Sequence, residues 1–174
     1  RDSFNKRKDK RNLLEEMSNY TFVNNFEEFK NSTSKKIGFF TYPSKPPPKD
    51  LGRKPSLDDL TQESLKKISQ KKPFFIMIEG SQIDWGAHDN SLSYVLSEFK
   101  EFDLAISKAL EFAQADGNTL VIVTADHETG GLSLSGGNVK KSRIKADFST
   151  GGHSGSMVPV FSYGPNSELF SGIY

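Results

Sequence analysis

The chain has no cysteine among its 174 residues. That excludes disulfides, thiolate zinc fingers and thiol nucleophiles, and leaves nitrogen and oxygen as donors for any metal. An excess of one charge is also lacking: 23 Lys and Arg stand against 22 Asp and Glu, a formal net charge of +1. No field therefore favours nucleic acid or an anionic membrane. The basic run Lys6, Arg7, Lys8, Lys10 and Arg11 has no interleaved aromatics for base stacking and reads as a solvated loop. No apolar stretch approaches the length of a membrane span, and the charged start has neither signal-peptide nor transit-peptide composition. If the full protein is exported, its signal is expected upstream of Arg1. Internal repeats and long low-complexity tracts are missing as well. What is present, 34% hydrophobic and 11% aromatic residues, suffices for a globular core in one domain or a large piece of one.

Residues 20–23 and 37–42 read as short strands around a helical stretch capped by Asn24 or Asn25. Pro46, Pro47 and Pro48 make 43–54 a loop. Ser56 with Asp59 three residues on forms a helix start, and Leu57, Leu60, Leu65 and Ile68 mark one face of a helix running to Gln70. The apolar run 74–78 has strand length and suits burial on both faces. Leu92, Val95, Leu96, Phe99, Ile106 and Leu110 fall at helical spacing, predicting a long helix over 90–115 that ends at Gly117. A second buried strand, 119–124, completes a predicted βαβ unit with a parallel pair, and a third apolar strand follows over 157–162.

The polar residues beside these strands carry the chemistry, because ligands of open α/β sheets bind outside the carboxyl ends of strands. All three histidines fall in three such places: His88 after the first strand, His127 after the second, and His153 just before the third. Asp84 and His88 are four apart, so a helical segment lets both reach one ion; Asp126 and His127 are adjacent, which suits a loop. Taken singly, the first pair also reads as solvent-facing and the second as a capped turn. His153 also reads as structural or as a general acid. Glu79 at a strand end either caps the next turn or joins a set of oxygen ligands that would equally suit magnesium. Carboxylate and imidazole converging from three loops point to a metal centre with a position open to water or substrate.

The stretches FFIMIEGSQIDWGAH, TLVIVTADHETGGL and GGHSGSMVPVFSYGP resemble the alkaline phosphatase family, and weaker similarity runs through RKDKRNLLEEM and KPSLDDLTQESLKKIS. The three motifs stand in the family's order, and the likeness covers essentially the whole chain. The resemblance implies an α/β fold, a three-layer sandwich with a mostly parallel central sheet. Residues 1–174 are then the C-terminal portion of a single catalytic domain, incomplete without its N-terminal half.

By the same resemblance, Asp84, His88 and His153 match the ligands of a first zinc. Asp126 and His127 match two ligands of a second zinc, and Glu79 matches a ligand of magnesium. The implied cofactors are two zinc ions and one magnesium per intact site. The implied activity is phosphate monoester hydrolysis through a phosphoserine. The family's Asp-Ser-Ala nucleophile motif is not found in this sequence, and Asp2-Ser3-Phe4 precedes the segment resembling the family's RKDGRNLL region, so it receives no catalytic role. The chain alone is expected to be inactive. Small phosphate monoesters are the expected partners, with no nucleic acid and no membrane span; a homodimer and a periplasmic or secreted location are expected of the intact protein. The alternatives are a metal-binding module without catalysis, or a related phosphodiesterase, sulfatase or phosphoglycerate mutase, which share the α/β site.

Overall fold

In the computed structural model, which describes residues 1–70 and 73–173, the chain divides into a unit spanning Arg1–Pro55 and another spanning Ser56–Tyr174. Within the first, two single-turn helices, α1 (Asp2–Asn5) and α2 (Leu13–Glu16), precede β1 (Thr21–Val23), α3 (Phe26–Asn31) and β2 (Ile37–Phe39). Of the two candidate caps, Asn25 is used. Its side chain accepts the Glu28 N–H at 2.9 Å, while Glu28 accepts the Asn24 N–H at 2.8 Å. β1 and β2 pair in parallel, with Phe22 opposite Gly38. Phe40 packs against Phe4 and Phe22, with ring centroids 5.2 and 6.0 Å away. The proline-rich loop over 43–54 carries one 3₁₀ turn, Lys49–Leu51.

The second unit opens with α4 (Leu57–Ile68) behind a capping box. The Ser56 hydroxyl accepts the Asp59 N–H and the Asp59 carboxylate accepts the Ser56 N–H, each at 3.4 Å. Both bonds are long, so Ser56→Ala is expected at the low end of cap losses, about 0.5–1 kcal/mol. Denaturant unfolding of the variant measures it. α5 (Gln82–His88) and α6 (Leu92–Asp116) follow, and Gly117 ends α6 with φ of 69°. The stripe of α6 that is buried runs through Val95, Glu98, Glu101, Ala105 and Ala113. This is rotated from the expected face, and Phe99 is left 57% exposed.

β3 (Val121–Thr124), β4 (Glu128–Thr129), β5 (Ser133–Asn138), β6 (Arg143–Asp147), β7 (His153–Ser154) and β8 (Val160–Tyr163) complete the unit. They form three antiparallel two-stranded ladders, β3 with β8, β4 with β7 and β5 with β6. The mixture of helix and strand is α/β, as expected.

Several expectations about strands are corrected. Residues 74–78 carry no regular secondary structure and belong to no ladder among the described residues, so the parallel pairing with β3 is not formed. Phe74 lies edge-on to Phe112 of α6 at 5.9 Å, whereas Phe75 and Met77 are 86% and 79% exposed. The segment thus packs on one face only, since burial on both needs a second covering layer. β3 likewise leaves Ile122 45% exposed. The last strand begins at Val160 rather than Met157, which is exposed.

Candidate metal centre

Asp84 and His88 sit on α5, whose helical turn places positions four apart on one face. The helix is held against the start of α6 by the Ser91 N–H donating to Gly86 O at 3.0 Å and Tyr94 Oη donating to Gln82 Oε1 at 2.6 Å. Facing it, the β4–β7 ladder sets Glu128 opposite Ser154 and Thr129 opposite His153. Two segments distant in sequence are thereby joined by backbone hydrogen bonding.

Further bonds tie α5 and the residues after it to the loop before β7, and others brace the ladder itself. His88 Nδ1 donates to Gly151 O at 2.7 Å, which leaves its Nε2 lone pair directed into the site. With its amide nitrogen turned to the carbonyls, Asn90 donates to Ala87 O at 3.0 Å and Thr150 O at 2.8 Å. Gly130, at φ 87°, donates its N–H to Gly152 O at 2.8 Å and accepts from the Ser149 and Thr150 N–H groups at 3.0 and 3.2 Å. Glu128 accepts the Ser154 hydroxyl and the N–H groups of Gly131 and Leu132. The Ser154 hydroxyl, aided by the Leu132 and Gly131 N–H groups, holds the Glu128 carboxyl below its ordinary value against desolvation, which raises it.

The result is a triangle of donor atoms. His88 Nε2 lies 3.1 Å from His153 Nε2, and Asp84 Oδ1 lies 3.4 Å from the first and 3.7 Å from the second. A tetrahedral zinc with bonds of about 2.0–2.1 Å separates its ligand atoms by about 3.3 Å. The three edges scatter around that value, so the donor set fits such an ion. His153 and His88 are 48% and 37% exposed on their side chains, which leaves the centre open to an incoming ligand.

The other expected ligands fall differently. His127 stacks on His153 with ring centroids 3.6 Å apart, and its Nε2 is 3.3 Å from Asp126 Oδ2. This pair therefore borders the triangle, although the Asp126 side chain is 89% exposed. Glu79 follows the apolar run 74–78, is exposed, and lies outside the three-residue cluster.

Sequence reasoning assigned no part to Thr129, Glu128 or Asn90, which hold the ligand-bearing segments together. For Glu128 and Thr129 the available signal was a run of polar residues inside the glycine-rich ADHETGG stretch. Thr129 Oγ donates to Asp84 Oδ1 at 2.6 Å and lies 3.1 Å from His127 Nδ1.

Comparison with known proteins identifies the family of the chain. The alkaline phosphatase family model matches residues 2–148. Alkaline phosphatase 3 of Bacillus subtilis is 31% identical over 241 residues, covering 95% of this chain and 52% of that protein. Alkaline phosphatase 4 of the same organism is 43% identical over 144 residues, covering 80% of this chain and 31% of the relative. Among solved structures, the alkaline phosphatase of the Antarctic bacterium TAB5 superposes with a TM-score of 0.87 at 43% identity, covering 97% of this chain and 53% of that one. A variant of the TAB5 enzyme is described with Mg bound in its M3 site. The chain thus spans about half the length of alkaline phosphatase 3 and of the TAB5 enzyme. With a match over most of its residues and a shared α/β fold, the chain belongs to the alkaline phosphatase family.

Proposed function

We propose that the intact protein hydrolyses phosphate monoesters through a phosphoserine, and that these 174 residues are the C-terminal portion of its catalytic domain. The nucleophilic serine then lies outside the chain. The donor triangle of Asp84, His88 and His153, with edges of 3.1, 3.4 and 3.7 Å, carries the reading. These three residues hold a first zinc, Asp126 and His127 supply part of a second zinc site, and Glu79 contributes to a magnesium site. When bound, such ions activate a hydroxyl nucleophile and neutralise charge on the transferred phosphoryl group and its leaving oxygen.

The chain's own residues perform the preparation. His88 is held by Gly151 O with Nε2 free, Asp84 brings negative charge to the cation, and the ladder fixes His153 opposite them. Exposure of the centre admits an ester whose leaving group makes few contacts. The open faces of Phe75 and Met77, and coverage of 52–53% of alkaline phosphatase 3 and the TAB5 enzyme, support a reading in which further segments complete the sheet. Export of the intact protein and its dimerisation rest on family likeness; the described residues contain no helix long and apolar enough to cross a membrane.

Activity decides between this and a metal-binding module. With zinc and magnesium added, the chain alone is expected to release no phosphate from an aryl phosphate. Mixed with an N-terminal half carrying the nucleophile, it is expected to hydrolyse the monoester in preference to diesters and sulfate esters. Turnover by the isolated chain would place the nucleophile within it. Zinc binding without activity in the mixture, under conditions where the two halves associate, would leave only a binding module.

A further inference from the structure

We propose that Thr129 is a positioning residue whose single hydroxyl sets the tautomer of His127 and orients the Asp84 carboxylate, thereby coupling the two candidate zinc sites. The inference deepens the metal-centre reading above and rests on it.

Thr129 is 8% exposed, so its hydroxyl must find partners within the protein. Its Oγ lies 2.6 Å from Asp84 Oδ1 and 3.1 Å from His127 Nδ1. A hydroxyl has one proton, and an ionised carboxylate only accepts. The proton of Thr129 is therefore directed at Asp84, and Oγ can meet His127 only as an acceptor. That requires the proton of a neutral His127 to be on Nδ1. Nε2 then faces Asp126 Oδ2 at 3.3 Å, a competing acceptor for the same proton, and the contact to Thr129 Oγ at 3.1 Å is the shorter of the two.

The Asp84 oxygen that receives this hydroxyl is the one in the donor triangle. It lies 3.4 Å from His88 Nε2 and 3.7 Å from His153 Nε2. The opposite anchor comes from the backbone, since Thr129 is the register partner of His153 in the β4–β7 ladder. One residue thus holds a carboxylate of the first site by its hydroxyl, an imidazole of the first site by its backbone pairing, and an imidazole of the second by tautomer selection. Outer groups of this kind fix ring orientation and raise ligand basicity, and losing one typically lowers metal affinity 10–100-fold.

Valine keeps the shape of threonine and removes the hydroxyl, whereas serine keeps the hydroxyl and removes the methyl group. The test combines a metal-free readout with zinc titration of the 174-residue chain. Nitrogen-15 spectra of the metal-free wild-type chain, taken where His127 is neutral, are expected to show its proton on Nδ1. Thr129→Val is expected to lose zinc affinity by about 10–100-fold, and Thr129→Ser to stay close to wild type. A wild-type proton on Nε2 would overturn the proposal, as would a valine variant that binds zinc like wild type or a serine variant that fails as badly as valine. If the valine variant does not fold, the wild-type tautomer and the serine variant decide. If the wild-type chain takes up no zinc, the metal-centre reading fails, while the tautomer still judges the role of Thr129.

Discussion

Replacing His153 by alanine is expected to cut the zinc affinity of the chain by more than about 100-fold, beyond the range typical of losing an outer partner. His153 Nε2 forms two edges of the donor triangle, 3.1 Å to His88 Nε2 and 3.7 Å to Asp84 Oδ1. Without it, only a carboxylate and an imidazole one helical turn apart remain, and such a pair cannot define a tetrahedral site. Because its side chain is 48% exposed, the substitution opens no core cavity and the fold should survive. Competition against a zinc chelator, with circular dichroism as a folding control, measures the effect. A variant that folds and binds zinc as tightly as wild type would remove His153 from the centre.

Replacing Gly130 by alanine is expected to damage both stability and the site. The φ of 87° is left-handed backbone, costing a residue with a Cβ roughly 1–2 kcal/mol. A Cβ there would also lie 2.9 Å from the Phe148 ring and 3.0 Å from Ala87 O at the end of α5. The Ala87 carbonyl belongs to the helix that presents His88, while the Gly130 N–H is bonded to Gly152 beside His153. Relief of the overlap therefore separates the two histidines that must converge. Urea unfolding should show a lower midpoint, and zinc titration a weaker site. A midpoint and an affinity both equal to wild type would show that the two loops do not depend on this close approach.

Residues whose role is local were legible from the chain itself. Ser56 with Asp59 marked the start of α4, Asn25 was one of two proposed caps, and Gly117 ended α6, because a cap or a left-handed terminus involves only neighbours within a turn. The spacing of Asp84 and His88 likewise required only that the segment be helical. Pairing was less legible. The apolar run 74–78 has the composition of a buried strand, yet composition does not specify which strand lies beside it or what covers Phe75 and Met77. The apolar periodicity of α6 pointed to Phe99, while packing selected a stripe including Ala105 and Ala113.

The sequence by itself determined which donor groups are available: no thiol, three histidines and the carboxylates Asp84 and Asp126 near glycine-rich turns, in motifs that resemble the alkaline phosphatase family. Tertiary structure alone decided that His88 and His153, 65 positions apart, bring their nitrogens within 3.1 Å. It also decided that Thr129 reaches across 45 positions to Asp84. The physical reason is that donor identity is a property of each side chain, whereas a metal centre is a set of distances, and those depend on a two-residue ladder and on α5 packing that no local pattern encodes.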